Sequence, residues 1–224
     1  MKKNIEILHK LSETALFKNI PEINIGQILT SLSPTLHTYK KETIIIDEGD
    51  TVKNLSIIIS GTVHIEKIDY WGNRNIKAII REYEIFGETF ACLNSVKANC
   101  QVIAQTECTI MQLNIDSILD ISSSLNNSKE KLLHNLLKIL ASKNYMLTQK
   151  IDVMNKKTTR EKLMEFLAQQ SKEQSSNSIR IPFNRQQLAD YLSVDRSGLS
   201  TEISKLISEG VIETNKNKFI LHKL

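Results

Sequence analysis

The sequence predicts an α+β protein with an N-terminal antiparallel β-roll, a long dimerisation helix and a C-terminal winged helix-turn-helix. Three observations predict this order. Short β-branched runs separated by turn residues fill the region from His37 to Leu113. Apolar residues at heptad spacing follow between Asn127 and Asn155. The segment 184–212 then has the pattern of two short helices about a tight turn. We therefore divide the chain into residues 1–124, 125–156 and 157–224.

The composition limits the class of protein. The 224 residues, of which 41% are hydrophobic, are enough for two modest domains with real cores. The net charge of +4 is compatible with a nucleic-acid partner without requiring one. The three cysteines form no CxxC pair, the first residues lack a signal peptide's apolar stretch, and no apolar run approaches the ~18 residues of a membrane helix. These features predict a cytoplasmic protein without disulfides.

The first region begins with helical spacing and continues as short strands. Residues 4–33 have the pattern of two helices joined by a loop at 17–21. Glycines and turn residues, such as Gly61, Gly87 and the Trp71-Gly72-Asn73 segment, then separate six β-branched runs. We expect strands at 43–46, 55–59, 62–65, 76–80, 101–104 and 109–113. This spacing favours an antiparallel sandwich or barrel.

One long helix is predicted from Asn127 to Asn155, and one of its faces repeats in heptads. The residues of this seam are Leu133, Leu137, Leu140, Asn144, Leu147, Ile151 and Met154. We expect homodimerisation through the seam, in which a buried Asn144 pair would lower stability but fix the register. The alternative is a helix packed on its own domain. Leu132, Leu136 and Ile139 widen the stripe, so we expect the first half to contact the β region as well.

The C-terminal region has the helix-capping and helix-breaking residues of a helix-turn-helix. Asn184 and Asp195 are good N-cap residues, Ser193-Val194 breaks the pattern between them, and Gly210 is a suitable end for the second helix. The buried positions are expected to be Leu188, Leu192, Leu199, Ile203, Leu206 and Ile207. Two short strands around an Asn-Lys-Asn turn at 215–217 then form a basic wing.

The second helix of such a motif lies in the DNA major groove, where Arg196 can bind guanine with two hydrogen bonds. The candidate DNA-binding residues are Asn184, Arg185, Gln186, Arg196, Ser197, Ser200, Thr201, Glu202 and Lys218. An ordinary helical hairpin with a solvated polar face is the alternative, and the basic wing favours DNA. Arg185 and Lys218 are expected to bind phosphates and to make the affinity salt-dependent.

Four segments in this order resemble the CRP/FNR family of bacterial transcription regulators, over nearly the whole chain. Residues 48–63 are similar to the first sheet signature of the family, and 85–88 (Ile-Phe-Gly-Glu) to the start of its ligand cassette. Residues 159–167 resemble the helix after the hinge, and 185–212 the DNA-binding signature. The resemblance implies a jelly roll like that of cyclic-nucleotide-binding domains and a homodimer on a palindromic DNA operator. It also makes RNA polymerase a further candidate partner, with no membrane involved.

The resemblance implies a mechanism as well. Two recognition helices would enter successive major grooves about one helical turn, ~34 Å, apart. An effector in the roll would turn the DNA-binding domains about a hinge near 155–158.

The segment that should hold a cyclic nucleotide departs from the family pattern. The effector pocket maps to Gly87, Glu88, Ala98 and Asn99, and the family members that bind cyclic nucleotides carry Arg-Ser in place of the last two. Ala98 cannot pair with a phosphate charge. Lys97 would face the opposite way on a β-strand and lacks the two-pronged geometry of arginine. We expect no tight binding of cyclic AMP or cyclic GMP, no resident cofactor, and an unknown small-molecule effector or none.

Other departures concern turns and base reading. Two turn glycines of the family map to Lys41 and Tyr83, which predicts rearranged turns. Thr201 stands where a base-reading arginine is often found. Glu202 follows it, and could either accept a hydrogen bond from cytosine or face solvent, of which we favour the second.

Redox-responsive and haem-responsive regulators of the same fold stay open as alternatives. Cys92, Cys100 and Cys108 are expected to be buried and inert, although Cys100 is a candidate thiol sensor without an activating base beside it. His37 and His64 are the candidate haem ligands. We expect no enzymatic activity, because a cupin-like metal site needs several histidines and a carboxylate converging in the barrel. A signalling module with a decayed helix-turn-helix is disfavoured by the apolar pattern of 188–207.

Overall fold

The computed structural model describes residues 2–68, 74–93, 95–120 and 126–222. The chain forms two compact units, Met1–Ile139 and Leu140–Leu224, which divide inside one long helix. The turn expected at Trp71-Gly72-Asn73 and the boundary expected between 124 and 125 lie outside the described residues. The three-part division into 1–124, 125–156 and 157–224 therefore stays a prediction.

The first unit is an antiparallel β-roll preceded by two helices. Its elements in order are α1 (Lys2–Ser12), α2 (Glu22–Leu32), β1 (Thr35–Tyr39), β2 (Ile44–Ile46), β3 (Asn54–Ser60), β4 (Val63–Ile68), β5 (Arg74–Ile80), β6 (Ile85–Phe86), α3 (Glu88–Leu93), β7 (Gln101–Ala104), β8 (Cys108–Asn114) and α4 (Ile115–Leu119). One sheet has the strand order β1-β8-β3-β6 and the other β2-β7-β4-β5, with every pairing antiparallel. The predicted roll is confirmed.

The central strands of the first sheet are buried on both faces. In β3 residues 55–59 are all buried, and in β8 Cys108, Ile110, Met111 and Leu113 are buried. Because successive side chains of a strand point to opposite faces, these two strands are covered on both sides. The β-branched runs of the sequence therefore supply both the strand preference and the core.

The long helix α5 (Asn126–Met154) has the predicted extent, within one residue at each end. Leu132 and Leu136 are buried against the first unit, as expected, and Asn135 donates hydrogen bonds of 2.9 Å to the carbonyls of Leu16 and Lys18. At the other end Val153 is fully buried in the core of the second unit. Among the described residues, no helix is long and apolar enough to cross a membrane.

The second unit is a winged helix-turn-helix. Its elements are α6 (Thr159–Gln174), β9 (Ser178–Arg180), α7 (Arg185–Leu192), α8 (Arg196–Ser208), β10 (Ile212–Asn215) and β11 (Lys218–Leu221), and the strands form one sheet in the order β10-β11-β9. Thr158 and Asn184 each cap a helix with a reciprocal capping box. Ser193 is left-handed (φ 51°) and ends α7, and Gly210 (φ 72°) follows α8 as predicted.

One predicted core residue of α8 is wrong. Leu199, Ile203 and Leu206 are buried, whereas Ile207 keeps 43% of its surface exposed. Consecutive residues of a helix are rotated by about 100°, so Ile207 cannot share the inward direction of Leu206.

Candidate nucleic-acid interface

The recognition helix α8 begins at a strong cap. The Asp195 carboxylate accepts a hydrogen bond of 2.8 Å from the Gly198 amide and another from the Ser197 hydroxyl. Both hydrogen bonds hold the pKa of Asp195 below its ordinary range, and the bond from Ser197 has the larger effect. A charged cap of this kind satisfies amides that have no partner within the helix and complements the helix dipole. It fixes the backbone of the first turn, from which Arg196 projects.

The predicted base-reading residues lie on the exposed face of α8. Arg196, Ser197, Ser200 and Thr201 are all exposed. The buried face packs on the other side, through Leu199, Ile203 and Leu206. The helix therefore presents one long cationic side chain at its start and short hydroxyl side chains along its length.

Glu202 does not belong to this exposed face. Its side chain is 16% exposed, and its carboxylate lies 3.5 Å from Nη1 of Arg160 and 3.7 Å from Nζ of Lys205. Arg160, which opens α6, also forms a two-pronged pair with Glu209 at the end of α8, with 2.9 Å between Nη1 and Oε1. The pairing with Glu209 raises the pKa of Arg160 and lowers that of Glu209. The expectation that Glu202 faces solvent is wrong, because its side chain connects α8 to α6. Base reading by Glu202 stays a prediction.

The start of α7 and the wing carry the other predicted contacts. Asn184 is exposed and caps α7, Gln186 is exposed and donates to Asp190 at 2.8 Å, and Lys218 is exposed on β11. Arg185 is half-buried: its Nη2 donates to Thr214 Oγ1 at 3.0 Å and its guanidinium lies 4.9 Å from the centre of the Phe219 ring. Burial lowers the pKa of Arg185. The side chain thus fastens α7 to the wing.

A groove of about 580 Å³ lies between the start of α7 and the wing. It is lined by Pro182, Phe183, Asn184, Arg185, Gln187, Lys216 and Asn217. Lys216 was missed as a site residue by the sequence reasoning, although it lies in the predicted Asn-Lys-Asn turn. The residue is exposed and left-handed (φ 52°), which places its charge at the tip of the wing. Its position as a basic residue in the turn between two short strands is the sequence feature that indicates a DNA-contacting role.

In the roll, the predicted effector segment keeps the glycine turn but lacks the cation. Gly87 has φ 79°, and a Cβ there would lie 3.2 Å from the Asn54 carbonyl oxygen. Glu88 and Ala98 are each 3% exposed, and Asn99 is exposed. Ala98 is held by its backbone: its amide donates to Asp50 at 2.9 Å and its carbonyl accepts from Gly49 at 2.7 Å. A cyclic nucleotide needs a cation for its phosphate, and a buried alanine does not fit that requirement.

Lys97 does not lie on a β-strand, contrary to the sequence prediction. Residues 96–99 form a loop and not a strand, so strand alternation does not set the direction of Lys97. Lys97 is nevertheless exposed, while the neighbouring Ala98 is buried.

The rearrangement expected at Tyr83 is not seen, because this residue keeps the left-handed backbone of a turn glycine. Tyr83 adopts φ 66°, a value that glycine adopts freely, at the position predicted. In the earlier turn the left-handed residue is Glu42 (φ 68°) and not Lys41.

The cysteines and histidines do not converge. Cys100 and Cys108 are buried and Cys92 is half-buried. Burial raises the pKa of the Cys92 and Cys100 thiols, which opposes thiolate formation. His37 lies on β1 of one sheet and His64 on β4 of the other, where its Nδ1 lies 3.4 Å from the Glu66 carboxylate. Among the described residues, no group of three or more His, Cys, Asp or Glu could hold a metal ion.

The predicted seam of α5 is largely exposed. Leu137, Leu147 and Ile151 expose 65%, 63% and 57% of their surfaces, and Asn144 is exposed beside them. Leu133 and Leu140 are half-buried, and Met154 packs partly against the core of the second unit.

Comparisons with known proteins agree with this geometry. Residues 36–124 match the family model of the cyclic nucleotide-binding domain, and residues 161–224 match that of the Crp-like helix-turn-helix domain. No curated protein sequence matches the chain.

Solved structures share the fold. The chain is similar to the catabolite activator protein of Thermus thermophilus, with 19% identity, 93% of this chain and 94% of that one covered, and a TM-score of 0.57. It is also similar to the c-di-GMP-responsive regulator CLP of Xanthomonas campestris, with 18% identity, 91% and 100% covered, and a TM-score of 0.56. The OCPA complex of CprK gives 14% identity, 88% of each chain covered, and a TM-score of 0.62.

The roll, the long helix and the winged helix-turn-helix, together with the two family matches, define a class of protein. The chain belongs to the CRP/FNR-type transcription regulators, and its helix-turn-helix is a DNA-binding domain.

Proposed function

We propose that the protein is a homodimeric, sequence-specific regulator that binds a palindromic operator and does not respond to cyclic nucleotides. The observation that carries the proposal is that one chain has both an exposed recognition face on α8 and an exposed apolar seam on α5. The first supplies readout of one half-site. The second supplies the partner that reads the other half.

The seam fits a parallel two-stranded coiled coil. Leu137, Asn144 and Ile151 occupy one heptad position, and Leu133, Leu140, Leu147 and Met154 the other. A β-branched residue in the first position and leucine in the second favour two strands, and Ile151 with Leu147 follows that rule. A single asparagine in the first position, here Asn144, specifies register. Exposed leucine and isoleucine side chains on a helix are costly in water, and pairing with a second copy removes them from it.

The effector is proposed to be an organic compound other than a cyclic nucleotide, or to be absent. Ala98 supports this, since it leaves the segment after Gly87 without the phosphate-binding arginine. Thiol sensing is disfavoured by the raised pKa of the Cys92 and Cys100 thiols. A cupin-like enzyme is disfavoured because His37 and His64 lie in different sheets. We further propose a cytoplasmic location without resident cofactor, and contact with RNA polymerase at the operator.

Selection of bound duplexes from a random pool tests the DNA proposal. Purified full-length protein without added ligand should enrich a two-fold symmetric motif with half-sites about one helical turn apart. An asymmetric motif would contradict the dimeric reading. Weak, salt-sensitive retention of all sequences, unchanged by cell extract, would contradict sequence-specific regulation.

Calorimetry tests the effector proposal. Titration of cyclic AMP or cyclic GMP into the protein should give no heat of specific binding, and neither compound should change operator affinity. Micromolar affinity for either nucleotide would refute the argument from Ala98.

A further inference from the structure

The exposed face of the recognition helix consists mainly of hydroxyl side chains, and all of them donate hydrogen bonds within the chain. The residues are Ser197, Ser200, Thr201, Ser204 and Ser208, all of them exposed. Glu202 is turned away towards Arg160, so the carboxylate next to the hydroxyl face is directed elsewhere. Hydroxyl groups therefore decide what this face can read in DNA.

Each of these hydroxyls gives its proton to the helix itself. Ser200, Thr201 and Ser204 donate to the carbonyl four residues earlier at 2.9, 3.0 and 3.1 Å. Ser208 donates to the Lys205 carbonyl at 2.8 Å, and Ser197 donates to the Asp195 cap. A hydroxyl has one proton and two lone pairs, so while these bonds to the helix are kept each oxygen offers a ligand only its lone pairs.

The major groove makes such a restriction informative. Adenine and cytosine present an amino group there, N6 or N4, which donates hydrogen bonds. Guanine and thymine present acceptor oxygens at the corresponding place. Every base pair joins one base of each kind, so acceptor oxygens facing the groove are matched by the amine-bearing side of a pair and opposed by its carbonyl side.

Arg196 has the opposite chemistry. Its guanidinium carries only donors, is exposed at the first turn of α8, and matches the N7 and O6 acceptors of guanine. We infer that α8 reads a half-site by one guanine opposite Arg196 and by adenine or cytosine amino groups opposite the hydroxyls of Ser200 and Thr201. This inference deepens the proposed function and rests on it.

Three variants of the full-length protein test the inference in the same selection experiment. Thr201→Val and Ser200→Ala remove a hydroxyl on the N-terminal half of the helix, where base contacts occur. Ser208→Ala removes a hydroxyl of the same kind from the last turn and is the matched control. We expect the wild type to enrich a G·C pair at one position of each half-site and further preferred base pairs beside it. Thr201→Val and Ser200→Ala should each relax one of these further base pairs, and Ser208→Ala should leave the motif unchanged.

Removing the amino group from the DNA gives a second, independent readout. At the position relaxed by Thr201→Val, adenine is replaced by purine, or cytosine by 2-pyrimidinone, so that the exocyclic amine is lost. Wild-type affinity should fall about two- to tenfold, the range expected for one neutral hydrogen bond. Thr201→Val should bind the two duplexes equally well, and Ser208→Ala should discriminate like the wild type.

The failures of the two proposals are distinguishable. Absence of a symmetric motif for the wild type would refute the proposed function, and the inference with it. A symmetric motif whose Thr201-dependent base pair loses no wild-type affinity when its amino group is removed would refute only the inference. Equal loss of affinity on amine removal in the wild type and in Thr201→Val would refute it too.

Discussion

Leu147 is the position where the dimer proposal is most sharply testable. It occupies the centre of the α5 seam and leaves 63% of its surface exposed in the single chain. Complete burial of a leucine is worth about 1.5–3 kcal/mol, so covering the exposed part contributes about 1–2 kcal/mol per chain. A dimer contains two copies, and Leu147→Ser should therefore weaken it by about 2–4 kcal/mol. This corresponds to a rise of about 30- to 1,000-fold in the dimer dissociation constant.

Met146 provides the matched control. It is the preceding residue of the same helix and is similarly exposed, at 67%. A step of one residue rotates its side chain by about 100° around the helix axis, off the seam. Met146→Ser should leave the dissociation constant within about twofold of wild type.

Sedimentation equilibrium of the wild type and both variants over a range of concentrations is the assay, with circular dichroism to establish that each variant is folded. Equal dissociation constants for Leu147→Ser and wild type would refute the seam. Equal weakening by the two variants would mean that the interface does not follow the heptad. Operator affinity should fall only for Leu147→Ser, because a monomer reads one half-site.

Three further predictions concern the stability of the fold, measured by urea or thermal unfolding. Glu42→Gly should stabilise the protein by about 1 kcal/mol, because an L-residue at φ 68° is strained. Lys41→Gly, at the neighbouring position, should destabilise it. Stabilisation by Lys41→Gly and destabilisation by Glu42→Gly would contradict the turn geometry. Leu167→Ala, at a fully buried position, should cost about 2–5 kcal/mol, and a cost under 1 kcal/mol would contradict the packing of the second unit. Because the pKa of Asp195 is lower in the folded state, its cap stabilises at neutral pH, and that contribution is lost as the pH falls through the folded pKa. Asp195→Asn, which caps without a charge, should show a smaller loss between about pH 5 and pH 3, and an unchanged acid profile would contradict the charged cap.

The elements that could be predicted from the sequence are those with local causes. Thr158, Asn184 and Asp195 cap their helices through atoms three residues away. The heptad seam and the β-branched strands are periodic, so their pattern is visible in short windows. The fold and the helix ends followed from these signals.

The elements that were missed depend on distant partners or on exposure. Strand β1 is mostly exposed and β6 contains only two residues, so neither has a strong pattern of its own. The inward direction of Glu202 is set by Arg160, which is distant in sequence and belongs to another helix. A residue's role in α8 therefore needed the tertiary structure as well as the helical spacing.

Backbone geometry and ligand chemistry are separable in this regulator. Tyr83 adopts the left-handed conformation expected of a turn glycine, and a hydrogen bond of 2.6 Å from its amide to the Ile58 carbonyl holds it there. Left-handed backbone costs an L-residue about 1–2 kcal/mol, and pairing with β3 offsets it. The roll thus keeps its shape where the family motif is altered. At Ala98 the backbone is likewise held, by Gly49 and Asp50, while the side chain carries no charge. Since strand pairing and turn hydrogen bonds fix the frame without these side chains, the pocket chemistry can differ from that of cyclic-nucleotide-binding members while the DNA-binding domain keeps its fold.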